Sequence, residues 1–304
     1  MLAIVIPYYK RTFFESTLQS LANQADKRFK VYIGDDASPE NPADLLENYQ
    51  AKFDFYYHRF DTNLGGTSLV KQWERCLKLT NAEEWVLILG DDDVLESNCV
   101  ADFYRNLNEI ETLKINVVRF ATKVINSVGE PISKVHEHPK LEKATDFLMR
   151  RFKGGARSTL SEYVFKSQII ENVKFKELPL AWYSDLLAVL EFSNFRFIYT
   201  INNAVVHFRI SGLNITGKKD DLLLKNIATF NFYHYLLNQT KSHFKSFEQE
   251  MLLMRLEKTF LDNKKNPYFW LQLTKLYLSN FYFRRYFNFI LNYIKSILSK
   301  KLRK

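Results

Sequence analysis

The chain has 304 residues, 46% of them hydrophobic and 25% charged, a balance that excludes wholesale disorder and allows a large buried core. A net charge of +9 favours an anionic partner: a nucleotide, a lipid surface or nucleic acid. Cys76 and Cys99 are the only cysteines, so there is no disulfide framework and no metal-ligand spacing among thiols, as suits a reducing compartment.

Met1 leads directly into the apolar run Leu2-Ala3-Ile4-Val5-Ile6 with no basic leader or cleavage site, so no signal peptide is expected. No uninterrupted apolar stretch of about 18 residues predicts a membrane span. Residues 2–100 alternate short apolar runs with helical patterns, which predicts parallel βαβ units. Strands are expected at 3–7, 29–33, 53–58 and 85–89, with helices over 13–23, 43–52 and 68–79. From 115 to 215 the pattern loosens into a strand at 116–121, a helix at 145–152, a flexible loop at 154–158, a helix at 185–192 and a strand at 195–199. After Gly217 the character changes to helical apolar periodicity, closing on Lys300-Lys301-Leu302-Arg303-Lys304.

The densest chemical signal is Trp85-Val86-Leu87-Ile88-Leu89-Gly90-Asp91-Asp92-Asp93. Five large apolar residues read as a buried strand, and three carboxylates follow where it emerges. Adjacent acids repel at a dry strand end, and a divalent cation with oxygen ligands, Mg²⁺ or Mn²⁺, relieves that repulsion while bridging to a phosphate. A solvated acidic turn is the competing reading. Each further polar cluster, including Gly34-Asp35-Asp36-Ala37-Ser38, also follows a strand's carboxyl end, the edge at which open α/β sheets bind ligands.

Four motifs in order, Ile6-Pro7-Tyr8-Tyr9-Lys10-Arg11, Gly34-Asp35-Asp36-Ala37-Ser38, Asn63-Leu64-Gly65 and Gly90-Asp91-Asp92-Asp93-Val94-Leu95, resemble the inverting glycosyltransferases of family 2. The bacterial surface-polysaccharide type is the nearest in character, and the resemblance covers roughly residues 1–215. It implies the GT-A fold, a Rossmann-like, mostly parallel α/β sheet flanked by helices. Residues 1–217 would form that domain, with 1–100 as its nucleotide-binding half and 101–217 as its acceptor half. Residues 218–304 would add an aromatic and basic helical region. The implied donor is a nucleotide-diphosphate sugar, UDP being favoured because Asp36 suits a uracil imide N–H. Pro7, Tyr9, Asp36, Asn63, Gly65 and Asp91 would surround it, Tyr9 by stacking and the glycines by allowing close backbone approach.

The family's Asp-x-Asp-Asp motif, aligned on Leu95, places Gly90 where its first acid stands. Asp92 then falls on the direct metal position, with Asp93 beside it, and the implied cofactor is Mn²⁺ or Mg²⁺. Leu69, Val70 and Lys71 stand where the family often has Ala-Arg-Asn; Lys71 either replaces that positive charge or faces solvent. The general base that deprotonates an acceptor hydroxyl falls on Asp185 in Trp182-Tyr183-Ser184-Asp185, Ser184 standing where a glutamate is usual. A helix-capping role for Asp185 is the alternative. Val206-His207-Phe208-Arg209-Ile210-Ser211 with Asn214-Ile215-Thr216 resembles the family's closing loop. There Arg209 is placed on the diphosphate and His207 on the metal or phosphate, against a purely structural histidine.

Residues 267–304 interleave aromatics with bases, as a helix lying on an anionic lipid surface does; a hairpin packed on the catalytic domain is the alternative. The expected activity is metal-dependent sugar transfer to a saccharide or lipid-linked saccharide in surface-polysaccharide or lipopolysaccharide synthesis. The expected location is the cytoplasm, peripheral on the inner face of the membrane. A polyprenyl-phosphate glycosyltransferase and a non-catalytic nucleotide-sugar or membrane-binding module are the alternatives. No recognition helix, zinc finger or RNA-binding strand motif is visible, so nucleic acid is not an expected partner.

Overall fold

The computed structural model describes residues 1–212, 221–263, 266–280 and 282–301, with side chains to 295. The chain divides into two compact units, 1–220 and 221–304. The first is built on a nine-stranded mixed sheet. Strand β1 (Leu2–Tyr8) lies between β2 (Phe29–Asp35) and β4 (Trp85–Ile88), parallel to both, and β2 pairs in parallel with β3 (Phe55–Arg59). The side chains of β1 are buried almost throughout, as expected for a parallel strand covered on both faces. Each such Ile or Leu contributes about 1.5–3 kcal/mol of burial.

The other half of the sheet is less regular. β8 (Tyr163–Lys166) enters antiparallel between β4 and β6 (Val117–Ile125), and β6 then pairs in parallel with β9 (Phe197–Arg209). β9 shifts register opposite Phe120 and Ala121, and its edges take the short β5 (Val94–Leu95) and β7 (Leu141–Lys143). The bulge explains why sequence periodicity marks only the first part of this strand. His207 and Arg209, expected in a closing loop, therefore lie in a strand, where β5 and β6 fix their register. The run Asn214-Ile215-Thr216 and the basic end 302–304 lie outside the described residues.

Helices α1 (Phe14–Ala22), α2 (Ala43–Glu47) and α3 (Leu69–Leu77) connect the first four strands. The helix expected over 43–52 stops at Glu47 and gives way to turns. α1 buries Phe14, Thr17, Leu18 and Leu21 on one face, the spacing an amphipathic helix requires. α3 begins at Ser68, whose hydroxyl accepts from the Lys71 N–H and caps the helix. α4 (Cys99–Thr112), which the sequence reading did not delimit, follows β5; α5 (Ala144–Phe152), α6 (Ser167–Val173) and α7 (Ser184–Phe192) complete the unit.

The second unit consists of α8 (Leu222–Gln239), α9 (Ser246–Asp262), α10 (Pro267–Ser279) and α11 (Phe283–Lys301), with a short 3-10 turn at 241–243. Its core is aromatic. Phe230 and Phe269 stack 4.0 Å apart, and Phe260 packs against Trp270, Phe289 and Tyr293. Arg285 bridges Glu250 and Glu257, and Tyr277 donates to Glu257. Many of the aromatics of 267–295 are thus internal. Phe283, Phe287, Leu291 and Ile294 remain exposed along α11. Among the described residues no helix is long and apolar enough to cross a membrane.

Candidate active site

A cavity of about 750 Å³ opens at the carboxyl ends of β1, β2 and β4. It gathers Pro7, Tyr9, Asp36, Asn63, Gly65, the run Asp91 to Asp93 and Asp185 into one space. These residues are far apart in sequence. Parallel strands bring them together because each strand delivers its following loop to the same sheet edge.

The three acids of the run are held very differently. The Asp91 carboxylate accepts from the backbone N–H groups of Tyr9 and Lys10, both at 2.8 Å, and so fastens the β4 loop to the end of β1. Asp93 is buried, accepting from the Ser161 hydroxyl through one oxygen and from the Arg209 N–H at 3.0 Å through the other. Asp92 lines the cavity between them. Gly90 eases this folding: a Cβ there would stand 3.0 Å from Asp92 Oδ1 and 3.1 Å from Asp93 Oδ2, a tight fit. The residue that stands in place of the family's first acid therefore has a steric reason to be glycine.

Burial, followed by the charges of Asp93 and Asp91, pushes the Asp92 carboxyl up to about 8, against the pull of Arg209. Burial pushes Asp93 up to about 6, opposed by its bonds from Ser161 and the Arg209 N–H. Asp91 is raised by burial as well. Desolvation is the main physical cause in all three, with like-charge repulsion adding to it at Asp92.

These acids fit a divalent cation in chemistry, being all-oxygen donors whose repulsion a cation would relieve. Asp92, with Asp93 beside it, would hold the ion. Among the described residues no group of three or more His, Cys, Asp or Glu converges as a metal cage. That suits Mg²⁺ or Mn²⁺, which commonly take one or two carboxylates and complete their shell with water and substrate phosphate.

Asp36 behaves differently. Its two oxygens accept from the N–H groups of Leu64 and Gly65, at 2.7 and 2.8 Å, and it pairs with Arg75. A Cβ on Gly65 would lie 2.5 Å from Asp36 Oδ2, so only glycine permits this approach. Asn63 Oδ1 accepts from the Gly66 N–H at 2.6 Å and closes the loop. The carboxylate proposed for a nucleobase is thus also the clamp of the loop beside it. Lys71 instead meets Glu177 at 3.6 Å on an exposed face, while Arg75, one turn further along α3, reaches Asp36.

Arg209 and His207 are not among the residues that line the cavity. The Arg209 guanidinium donates to the carbonyls of Asp92 and Asn126, at 2.9 and 3.1 Å, and lies 4.6 Å over the Phe13 ring. It braces the acid loop from behind. His207 Nε2 lies 3.1 Å from Glu96. Thr17 on α1 adds a further brace by donating to the Asp93 carbonyl at 2.8 Å.

Asp185 stands in the first turn of α7, and Tyr183 before it adopts φ +71°. Leu180 and Ala181 also take positive φ, at 59° and 52°. Three non-glycine residues in this region within four positions store backbone strain, and all three line the cavity. Burial raises the Asp185 carboxyl above the usual carboxylate range, opposed by the charge of Arg151. The Ser184 hydroxyl accepts from the Leu178 N–H, so the residue in the family's glutamate position has turned to a structural task.

Sequence reading did not single out Arg75, Arg151, Arg157 or Ser161. Arg75 carried a detectable signal, since its three-residue spacing from the buried Gln72 sets it at the edge of the inward face of α3. Ser161 carried none, because its role depends on β8 entering beside β4.

The description "Glycosyl transferase family 2" belongs to the family model that matches residues 3–163, more than half of the chain. Poly(ribitol-phosphate) beta-N-acetylglucosaminyltransferase TarS of Staphylococcus aureus, strains Mu50 and MW2, is 27% identical over 139 residues. That match covers 44% of this chain and 23% of TarS, so the chain spans less than a quarter of those relatives. The crystal structure of S. aureus TarS 1–349 with UDP-GlcNAc superposes with a TM-score of 0.64 at 16% identity, covering 90% of this chain and 79% of that one. The same protein with UDP gives 0.55 at 16% identity, over 86% and 80%. At such identities these two likenesses are evidence of fold, which is the mixed, mostly parallel GT-A arrangement. The sheet, the ordered motifs at its carboxyl edge and the family match agree: this chain belongs to glycosyl transferase family 2.

Proposed function

We propose that this chain transfers a sugar from a uridine-diphosphate sugar to a saccharide or lipid-linked saccharide in surface-polysaccharide synthesis, with inversion at the anomeric carbon. The observation that carries the proposal is the convergence of Asp92 and Asp185, one after β4 and one opening α7, on a single cavity. TarS, whose name describes N-acetylglucosamine transfer to poly(ribitol-phosphate) and whose structures hold UDP-GlcNAc and UDP, supports a uridine nucleotide here.

In this reading Pro7, Tyr9, Asn63 and Gly65 receive the nucleoside, with Asp36 holding their loop. Asp92 and Asp93 would hold Mn²⁺ or Mg²⁺, which when bound supplies positive charge against the departing diphosphate. Asp185 accepts the proton of the acceptor hydroxyl as that oxygen bonds to the anomeric carbon and the carbon–diphosphate bond breaks. Its burial raises its proton affinity, which strengthens it as a base. Arg209 orients the acid loop through the Asp92 carbonyl.

Membrane contact rests on the second unit. From residue 263 onward the chain has ten Lys and Arg residues and no Asp or Glu. The exposed stripe Phe283, Phe287, Leu291 and Ile294 recurs every three or four residues on α11. An apolar stripe on a helix with only positive charge suits an anionic lipid surface, and supports the reading of a protein peripheral on the inner face of the membrane.

A panel of UDP- and GDP-sugars with Mn²⁺ tests the reading. Slow donor hydrolysis by the wild type, abolished by chelator and by Asp92→Ala, is expected. Asp185→Asn should bind donor normally yet fail to transfer. Transfer to a simple lipid phosphate without saccharide would favour the polyprenyl-phosphate alternative, and absence of any donor binding would sink the enzyme reading.

A further inference from the structure

Four arginines on and around β6, α5 and the loop after it, one buried and three half-buried, differ in how they are held. Arg119, fully buried, pairs with Glu142 at 2.9 Å and with the Thr200 hydroxyl at the same distance. Arg150 binds Glu142 and donates to the Gly155 carbonyl at 2.6 Å. Both guanidiniums are tied to protein acceptors, although Arg119 Nη1 is also buried without a partner. Arg151 and Arg157 are not so tied. Both line the cavity, and no hydrogen bond or salt bridge joins either guanidinium to another described residue. The Nε of each is buried without a partner.

An unpartnered N–H on a half-buried cation is costly, and two such cations near one another raise that cost. Burial depresses the proton affinity of the Arg157 guanidinium, opposed by the charges of Glu162 and Asp93, while the charge of Arg151 adds to the depression. The guanidiniums rest only on aromatic faces, Arg151 at 5.6 Å from the Tyr183 ring and Arg157 at 4.5 Å from that of Phe208. Ring contacts of this kind hold a guanidinium plane in place without using its N–H groups.

The scaffold behind the pair is fixed. Arg151 occupies the last turn of α5, and Gly155 bonds back to the Arg150 carbonyl at 3.0 Å. Past Arg157, Thr159 and Glu162 form a reciprocal cap that leads into β8. Two guanidiniums on a braced segment line a shared cavity without a direct salt bridge to a described residue, although Arg157 feels the charges of Glu162 and Asp93 and Arg151 acts on Asp185; such an arrangement suits an oxyanion.

We propose that Arg151 and Arg157 form an anion subsite in this cavity that receives a phosphate-class group by bidentate contact. The subsite deepens the glycosyltransferase reading, and rests on it for the identity of the phosphate. That phosphate is the donor's diphosphate or one carried by the acceptor.

Calorimetric titration of the full chain with uridine, UDP and inorganic phosphate decides between them, in chelator so that no metal contributes. Wild type would be compared with Arg151→Gln, Arg157→Gln and Lys153→Gln, the last an exposed charge on the same loop. Arg151→Lys and Arg157→Lys keep the charge but lose the fork, and serve if a glutamine variant fails to fold. If the phosphate is the donor's, UDP binding weakens about tenfold or more in each glutamine variant, while uridine binding and Lys153→Gln match wild type. If it is the acceptor's, UDP binding is unchanged, and inorganic phosphate binding to the UDP-saturated protein weakens by the same factor. Phosphate binding that depends on the arginines in a protein that binds no nucleotide would sustain the subsite and defeat the glycosyltransferase reading. UDP and phosphate affinities that are unchanged in folded arginine variants, or a wild type that binds neither, would overturn the subsite.

Discussion

Two acid clusters stand at the ends of strands on either side of β1, and they look alike in sequence. At the end of β2, Asp35 accepts from the Ser38 N–H and the Tyr57 hydroxyl and pairs with Arg59, while Asp36 holds two loop N–H groups and Arg75. At the end of β4, Asp91 and Asp93 are tied by hydrogen bonds, but among the described residues Asp92 has no arginine salt bridge of that kind. The first cluster is neutralised by its own fold. The second keeps its charge repulsion, which is what a cation and a diphosphate can use. Acidic spacing alone does not tell a clamp from a site; the counter-charges around it do.

The largest expected effect is on the second cluster. Asp92→Ala should lower turnover about a thousandfold, as loss of a key electrostatic stabiliser does, while leaving the melting temperature of chelated protein equal or higher. Asp36→Ala should do the reverse in kind. It strands Arg75 and frees the Leu64–Gly65 loop, costing about 3 kcal/mol of stability in denaturant unfolding. A wild-type melting temperature in Asp36→Ala would erase the contrast.

Acidity gives the next effect. The Asp92 carboxyl is raised to about 8, so the folded protein keeps a proton that the unfolded chain releases near the ordinary aspartate value. Stability of the chelated protein should therefore fall as pH rises from about 4 to about 8. Asp92→Asn should flatten that slope. The smallest effect belongs to Lys71→Ala: its exposed partner Glu177 makes the pair worth less than about 0.5 kcal/mol, and donor affinity should not change.

Much of the nucleotide half was legible because its signals are local. Fully apolar parallel strands, glycines where loops touch carboxylates, and polar runs after each strand all leave marks within ten residues. What sequence did not reveal depends on long-range pairing. β8 is four residues long and joins β4 to β6 from seventy positions away, bringing Ser161 onto Asp93. The bulge in β9 carries Arg209 behind the acid loop rather than into the cavity. In the C-terminal unit, composition gave aromatics and bases but not their division between the core around Phe260 and the exposed stripe of α11.

The most direct test of the contrast between the clusters is UDP affinity measured with Mn²⁺ and with chelator, for wild type and Asp92→Asn. Wild type should bind UDP at least about tenfold more tightly with Mn²⁺, and Asp92→Asn should lose that gain while keeping the chelated affinity. Equal wild-type affinities in the two conditions, or a gain that survives Asp92→Asn, would contradict the assignment of the β4 acids as the cation-dependent site.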